Sequence, residues 1–350
     1  MARSIVPEPD DVVVGVDTHA DVHVAVALSG VGAWRGSIAV ATTPAGFDEL
    51  LRWASSFGRV RCFGVEGTGS YGASLARYLQ ELGEVVVEVD RPDRRTRHLE
   101  GKSDPVDAEA AARAVLAGTA TGIPKAGDGR VEMIRSLRVA RRSAMKARTQ
   151  AANQLIALVL TAPPELRGSL RALPVVDLVE VASRFRPGAL TDPTAAAKLA
   201  LRHLGRRHAS LSAEIASLDR DLAILVMQAA PALVALHGVG TDVAGALLVA
   251  AGDNPARLSS EGAFARLCGV APLPASSGKT NRHRLNRGGD RIANNALWRI
   301  VLVRMSGEGR TRHYVERRTK EGLSKKEIIR CLKRYVAREV YRCLERVDGL

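Results

Sequence analysis

Short apolar runs alternate with helix-forming stretches between residues 12 and 123, and that alternation is the strongest constraint on what the chain can fold into. Val12-Val13-Val14-Gly15-Val16 is a short apolar strand. Val22 to Leu28 is a second, close enough to form a hairpin with the first, and Ser37 to Ala41 offers a third. Thr43-Pro44 opens a helix through about Ser56, because proline early in a helix lacks only an N–H that would be unsatisfied anyway. Val60 to Val65 reads as a strand, Tyr71 to Leu82 as a helix and Val85 to Val89 as a strand. Asp104-Pro105 starts a helix that ends near Ala117, before Gly118. A meander followed by β-α-β units predicts a mixed α/β sheet flanked by helices, and we assign it residues 1–125.

The periodicity changes near residue 130. Leu204, His208, Leu211, Ile215, Leu218, Leu222 and Leu225 recur at alternating steps of four and three, a heptad seam. An earlier helix, about Val131 to Leu160, carries a weaker seam of small residues: Leu137, Ala140, Ala144, Ala147, Ala151 and Leu158. Pro163-Pro164, Pro174, Pro187 and Pro193 punctuate the stretch between. This predicts a coiled-coil arm over residues 126–230: two long antiparallel helices whose far ends are joined by an irregular region. The seam has two available occupants, the partner helix of the same chain or that of a second protomer.

Residues 231–350 form a third expected unit, helical and basic. Its last helix starts at Ser324 with Glu327 three positions on, the capping-box pattern. From Lys279 to Arg346 there are 20 Lys and Arg against 7 Asp and Glu, so almost all of the net charge of +14 lies there. A basic block so concentrated points to a polyanionic partner. Aromatic residues make up only 4%, which argues against base stacking as the main mode of recognition. The four cysteines form no Cys-x-x-Cys pair, so neither a structural zinc site nor a disulfide framework is expected. No apolar run reaches the ~20 residues of a membrane helix, and the N-terminal residues show no signal-peptide core. The expected location is the cytoplasm.

Four carboxylates stand where chemistry is plausible. Asp17 directly follows the first strand, in Gly-Val-Asp-Thr-His, and Glu66 follows the fourth, in Gly-Val-Glu-Gly-Thr-Gly-Ser-Tyr-Gly. Asp104 and Asp107 open a helix, and a spacing of three puts them on one helical face. Acids at the ends of adjacent strands share one sheet edge, and a nearby helix start brings two more. Four clustered carboxylates repel unless cations neutralise them, and oxygen ligands favour Mg²⁺ or Mn²⁺ over zinc. Two such ions ~4 Å apart suit phosphoryl transfer. Structural roles compete at two positions: Asp104 is placed to cap the helix, and Asp107 adds favourable first-turn charge.

A second constellation lies in the basic unit. Leu236-His237-Gly238-Val239-Gly240 precedes an apolar helix and resembles a helix-hairpin-helix turn, which aims backbone N–H groups at a DNA phosphate. Gly238 and Gly240 are its candidate nucleic-acid contacts. Further on, Ser276-Ser277-Gly278-Lys279 leads into a run that includes Arg282, Arg284, Arg287 and Arg291. Arginines there are suited to hold a scissile phosphate bidentately and to offset transition-state charge beside a nucleophilic serine.

Together these residues resemble insertion-sequence family 110 transposases, the DEDD-type serine transposases. The matching pieces are Gly15-Val16-Asp17-Thr18-His19 with His23, Glu66 to Gly72, Lys102 to Ala108, Gly238-Val239-Gly240, Leu267 to Pro272, Ser277-Gly278 and Arg287 to Arg291. The resemblance implies a RuvC-like domain of RNase H type, a coiled-coil arm and a mainly α C-terminal transposase domain. It implies that Asp17, Glu66, Asp104 and Asp107 bind metal and that Ser277, directly before glycine, joins covalently to DNA. Ser276 beside it is the alternative nucleophile. It also implies a structured guide RNA from the element's ends that selects donor and target DNA, and a homo-oligomer, dimer or tetramer, in which metal site and serine meet across protomers. Two other functions share some of these features. A metal-dependent nuclease of the Holliday-junction-resolvase kind needs the acids but no serine, and a non-catalytic nucleic-acid-binding protein needs only the basic third.

Overall fold

The computed structural model describes residues 8–89, 103–254, 257–276 and 283–344. They fall into two compact units, residues 1–127 with 254–259, and residues 128–253 with 260–350.

In the first unit β1 (Val12–Thr18), β2 (Val22–Ser29), β3 (Trp34–Ala41), β4 (Val60–Glu66) and β5 (Val86–Val89) form one sheet in the order β3-β2-β1-β4-β5. The first three strands are an antiparallel meander, and β4 and β5 run parallel to β1. β3 begins earlier than its apolar residues suggest, because it is an edge strand whose polar side chains face water. β1 is central and every residue in it is buried, so it reads as a continuous apolar run rather than an alternating one. One face of the sheet, through Val12, Val14 and Val16, packs on α1 (Pro44–Ser55) and α2 (Ala73–Glu81). The other face packs on α3 (Asp104–Leu116), where Val13 meets Ala108, Ala111 and Ala112. This mixed sheet is consistent with the RNase H-like fold that the resemblance implies.

Two glycines set how closely α3 lies on the sheet. Gly15 of β1 and Gly64 of β4 are direct partners in the strand register. A Cβ on Gly15 would stand 2.0 Å from the Ala108 carbonyl oxygen, and one on Gly64 would stand 2.7 Å from a Val115 methyl. Only bare backbone at both positions lets the helix rest on the strands.

The second unit is helical apart from one two-stranded ladder. α4 (Arg130–Thr161) and α7 (Pro193–Ala229) run antiparallel, since Arg141 pairs with Asp219 towards one end and Leu155 shares a core with Leu201 towards the other. The heptad positions of α7 are buried or half-buried, and the occupant of the seam is α4 of the same chain. On α4 the expected line shifts: Ala140 is exposed, and the neighbouring Arg141 is half-buried and pairs with Asp219 and Asp242. The far ends are not joined irregularly. α5 (Pro164–Leu170) and α6 (Val175–Ser183) connect them and pack Leu166, Leu170 and Leu178 into a small core. Pro164 and Pro193 occupy first-turn positions and Pro174 is the residue before α6, so the prolines start helices where they were expected to interrupt them.

Short α8 (Pro231–Val234) leads to α9 (Thr241–Ala251), which is buried almost all round. α10 (Glu261–Leu267), α11 (Arg291–Gly307), α12 (Gly309–Lys320) and α13 (Lys325–Leu344) complete the unit. β6 (Leu273–Pro274) pairs antiparallel with β7 (His283–Arg284). The capping box forms as expected, with the Ser324 N–H donating to Glu327 Oε2 at 2.9 Å. No helix among the described residues is long and apolar enough to cross a membrane.

Candidate metal centre and serine-bearing loop

Asp17 sits near the end of β1 with 7% of its surface exposed, and Glu66 ends β4 with 8%. Val16 pairs with Val65 in the parallel register, so the two acids stand side by side at one sheet edge. Pleat alternation puts both on the face that carries α3, together with Gly15 and Gly64. The two strands are tied at this point by Thr18, whose hydroxyl donates to the Glu66 carbonyl at 2.9 Å. Because α3 lies tight against the glycines, its first turn reaches the same edge. Asp107 is buried and Asp104 half-buried. The cap of α3 is Ser103, so Asp104 lies inside the first turn and the capping role considered for it is not the one it has.

Among the described residues, Asp17, His19 and Asp104 present ligand atoms within 4.8 Å of one another. His19 Nε2 stands 3.2 Å from Asp17 Oδ2 and 3.4 Å from Asp104 Oδ1. Asp107 acts electrostatically on Asp17 without joining that group, and Glu66 reaches the edge through the strand register. Burial pushes the Asp17 carboxyl above its ordinary pKa; His19 pulls it down, and the like charges of Asp107 and Asp104 raise it. Two carboxylates and an imidazole, with Asp17 buried, Asp104 half-buried and the like charge of Asp107 close by, fit a divalent cation. His19 belongs to the motif read from the sequence, but nothing in that reading gave it a place in the cluster. His23, from the same motif, is fully buried on the opposite face, stacked on Phe47 at 5.8 Å.

The turn after Glu66 is braced from a distance. Gly67 takes φ +68°, a left-handed conformation that glycine adopts without strain. Thr68 donates its hydroxyl to Glu88 Oε1 at 2.8 Å, and Glu88 Oε2 pairs with Arg257 at 3.0 Å. Arg257 also donates to the Ile123 carbonyl at 2.9 Å. Sequence reasoning missed this brace, because almost two hundred residues separate Arg257 from Thr68.

In the second unit Gly238 takes φ +82° and Gly240 caps α9. The His237 carbonyl between these helices accepts from Arg304 Nε at 2.9 Å. Ser277, Lys279 and Arg282 lie outside the described residues; their segment of chain joins β6 to β7. The base of that connection is fixed. Gly269 and Gly289 are so close that a Cβ on Gly289 would stand 2.2 Å from the Gly269 nitrogen. The Asp290 N–H donates to the Leu267 carbonyl at 2.7 Å, and Asn294 Nδ2 to the Cys268 carbonyl at 2.8 Å. Arg284, Arg287 and Arg291 are exposed.

Two family models match the chain, each in its own region. The DEDD transposase model of IS110 elements matches residues 14–164, and the transposase model of the IS116/IS110/IS902 family matches residues 230–316. The chain is an IS110-family transposase. The first match spans all four acids, and the second spans Gly238, Gly240 and the chain from β6 to Arg291. Membership makes the transposase a DNA-cleaving and DNA-recombining enzyme with DNA as its substrate, and DEDD-type members usually use a divalent metal. No curated protein matches the transposase.

Proposed function

We propose that the transposase cleaves and rejoins DNA strands with a serine nucleophile and a carboxylate-bound metal. The observation that supports this most is the placement of Asp17 beside Glu66 in strand register with the first turn of α3 closed over them. Asp17, Glu66, Asp104 and Asp107 would hold Mg²⁺ or Mn²⁺, which supplies positive charge at the scissile phosphate and leaving oxygen. The Ser277 hydroxyl attacks phosphorus, its proton passes to a base, and the bond to the 3′ oxygen breaks as that oxygen takes a proton. The product is a 5′ phosphoserine and a free 3′ hydroxyl. Attack by another 3′ hydroxyl on the phosphoserine restores the serine, so rejoining conserves bond energy and needs no nucleotide hydrolysis.

The assembly follows the same reading. Gly238 and Gly240 offer backbone N–H groups to a DNA phosphate in a helix-hairpin-helix-like turn. Lys279, Arg282, Arg284, Arg287 and Arg291 grip the backbone near the serine. The α4–α7 pair serves as a coiled-coil arm in a homo-oligomer that unites metal site and serine across protomers. Site choice is delegated to an element-encoded guide RNA, in keeping with the scarcity of aromatic residues.

The test is cleavage of labelled donor DNA by the purified protein with its flanking element RNA and Mg²⁺. Wild type is expected to give a protease-sensitive DNA-linked band on a denaturing gel, absent from both Ser277→Ala and Asp17→Ala. Cleavage without any adduct, kept in Ser277→Ala but lost in Asp17→Ala, would replace this reading with a metal-dependent nuclease. Binding with no cleavage in any condition would leave only a nucleic-acid-binding protein.

A further inference from the structure

A cavity of about 500 Å³ opens between α11 and α13. Four cationic side chains line it: Arg287 from the loop after β7, Arg291 at the start of α11, and Arg330 and Lys333 on α13. No carboxylate is among its described lining residues, and no ion pair among the described residues involves Arg287, Arg291 or Arg330; Glu327, one turn before Arg330, acts on it electrostatically from outside the cavity. Its wall also carries Trp298, which is 39% exposed, and Asn295. Part of the Trp298 surface is thus open to solvent inside a cationic pocket. Lys333 is half-buried, donates to Asn294 Oδ1 at 2.8 Å, and has its pKa pushed down by burial and by Arg330. Cations gathered in a cavity whose described lining holds no acid repel one another, and an anion relieves that repulsion.

We propose that this cavity holds one nucleotide of an unpaired strand, with its phosphate on Arg287, Arg291, Arg330 and Lys333 and its base stacked on Trp298. The chemistry selects this ligand class in two steps. Four cations of which three are arginines suit the oxygens of a phosphodiester. A ring face is open to a base only when that base is not already stacked in a duplex. Asn295 adds an amide with both donor and acceptor for a base edge. A neighbouring cavity of about 540 Å³ shares Arg330 and Lys333, but its wall includes Glu327, and the Tyr335 ring there already meets Tyr314 and the Arg338 guanidinium, so the proposal is confined to one base. Low aromatic content still argues against stacking as the general mode; the cavity offers a single ring, Trp298, beside its cations.

The inference rests on the C-terminal unit being the part of the transposase that handles nucleic acid, and not on the chemistry of Ser277. The full-length protein is titrated with a ten-nucleotide dT strand, a ten-nucleotide U strand and a ten-base-pair duplex, reading tryptophan fluorescence and the anisotropy of a labelled strand across salt. Unpaired strands are expected to quench fluorescence, and Trp298→Phe to remove most of a difference that Trp34 and Trp53 do not report. Trp298→Ala is expected to weaken binding of the unpaired strand by about fivefold or more. Arg330→Ala is expected to reduce the salt slope by about 0.7, one phosphate contact on a single strand. Tighter binding of dT or of U assigns the strand to DNA or to RNA. Equal quenching by the duplex, or an unchanged signal in Trp298→Phe, or an unchanged slope in Arg330→Ala, overturns the proposal. In each of those cases the serine adduct assay still stands or falls by itself, which separates failure of the cavity from failure of the recombinase reading.

Discussion

The acids of the first unit and the cations of the second are held in opposite ways. Asp17, Glu66 and Asp107 are buried, and their positions follow from strand register and from a helix packed on bare glycine backbone. Arg284, Arg287 and Arg291 are exposed, on the short strand β7, the loop after it and a helix start. A metal demands fixed geometry within a fraction of an ångström, so its ligands belong on a sheet. A phosphate backbone is a long flexible polyanion that mobile, solvated cations can follow. The first site is therefore sensitive to packing and the second to salt, and substitutions distinguish them.

The largest effect is expected where packing sets the proposed metal site. Gly15→Ala introduces a Cβ within 2.0 Å of the Ala108 carbonyl oxygen, a backbone atom that cannot rotate away. α3 must lift, and overpacking of this kind costs roughly 3 kcal/mol. Thermal unfolding should show it, along with weaker Mn²⁺ binding because Asp104 and Asp107 move with the helix. Gly69→Ala is the control, since a Cβ there meets nothing within 4 Å. Equal destabilisation by both would mean that the glycine pair does not set the helix height.

Next in size is the response to metal. The pKa of Asp17 is raised by burial, so its ionised form disfavours the folded state at neutral pH. That penalty fades as pH falls through the raised value towards the ordinary 3.8, so metal-free stability gains a favourable contribution from Asp17 on mild acidification. A metal bound as proposed would remove the same penalty at neutral pH. Free Mg²⁺ or Mn²⁺ at a hundred times its dissociation constant should stabilise wild type by about 2.7 kcal/mol, and Asp17→Asn by much less. A metal-induced shift in Tm that is the same in both proteins would remove Asp17 from the ligand set.

Much of this was legible from the sequence, and its failures have physical causes. β1, β2, β4 and β5 were found because buried strands carry apolar runs, while the start of β3 was hidden by its solvent-facing residues. The paired Gly-Val-acid segments around Asp17 and Glu66 were visible, but that both glycines touch one helix depends on register, which no local pattern encodes. The prolines between α4 and α7 were read as breaks because first-turn proline and loop proline look alike until the following residues prove helical. Arg330 and Lys333 were missed as cavity-lining residues for a related reason. On α13 they sit among many cations, and only the packing of α11 beside it distinguishes the two that share a cavity with Trp298.

Arg257→Ala tests the brace behind the acids. It removes the bonds to Glu88 and to the Ile123 carbonyl, both from a side chain only 13% exposed. Hydrogen bonds from a charged group of this kind are worth about 2 kcal/mol. The loss should appear in thermal unfolding, and Arg257→Lys should recover only part of it because one ammonium cannot reproduce the fork. No change in Arg257→Ala would show that Thr68 and Glu88 hold the Glu66 turn without it.

The smallest effect on stability is expected in the second unit, and it sharpens the comparison most. Arg304 and Arg287 are both arginines of that unit, but Arg304 is buried, paired with Glu339 at 2.6 Å and bonded to the His237 carbonyl, whereas Arg287 is exposed and lines the cationic cavity. Arg287→Ala should change unfolding free energy by less than about 0.5 kcal/mol. Its effect should appear instead in the salt dependence of nucleic-acid binding, with the slope reduced by about 0.7 to 0.9 for a lost phosphate contact. A substitution that leaves the fold untouched and alters only the salt slope marks a cation whose partner is outside the protein. If Arg287→Ala lowered stability instead, the loop after β7 would be held by its arginine, and the division between a packed acidic site and a solvated basic one would fail where it is drawn most sharply.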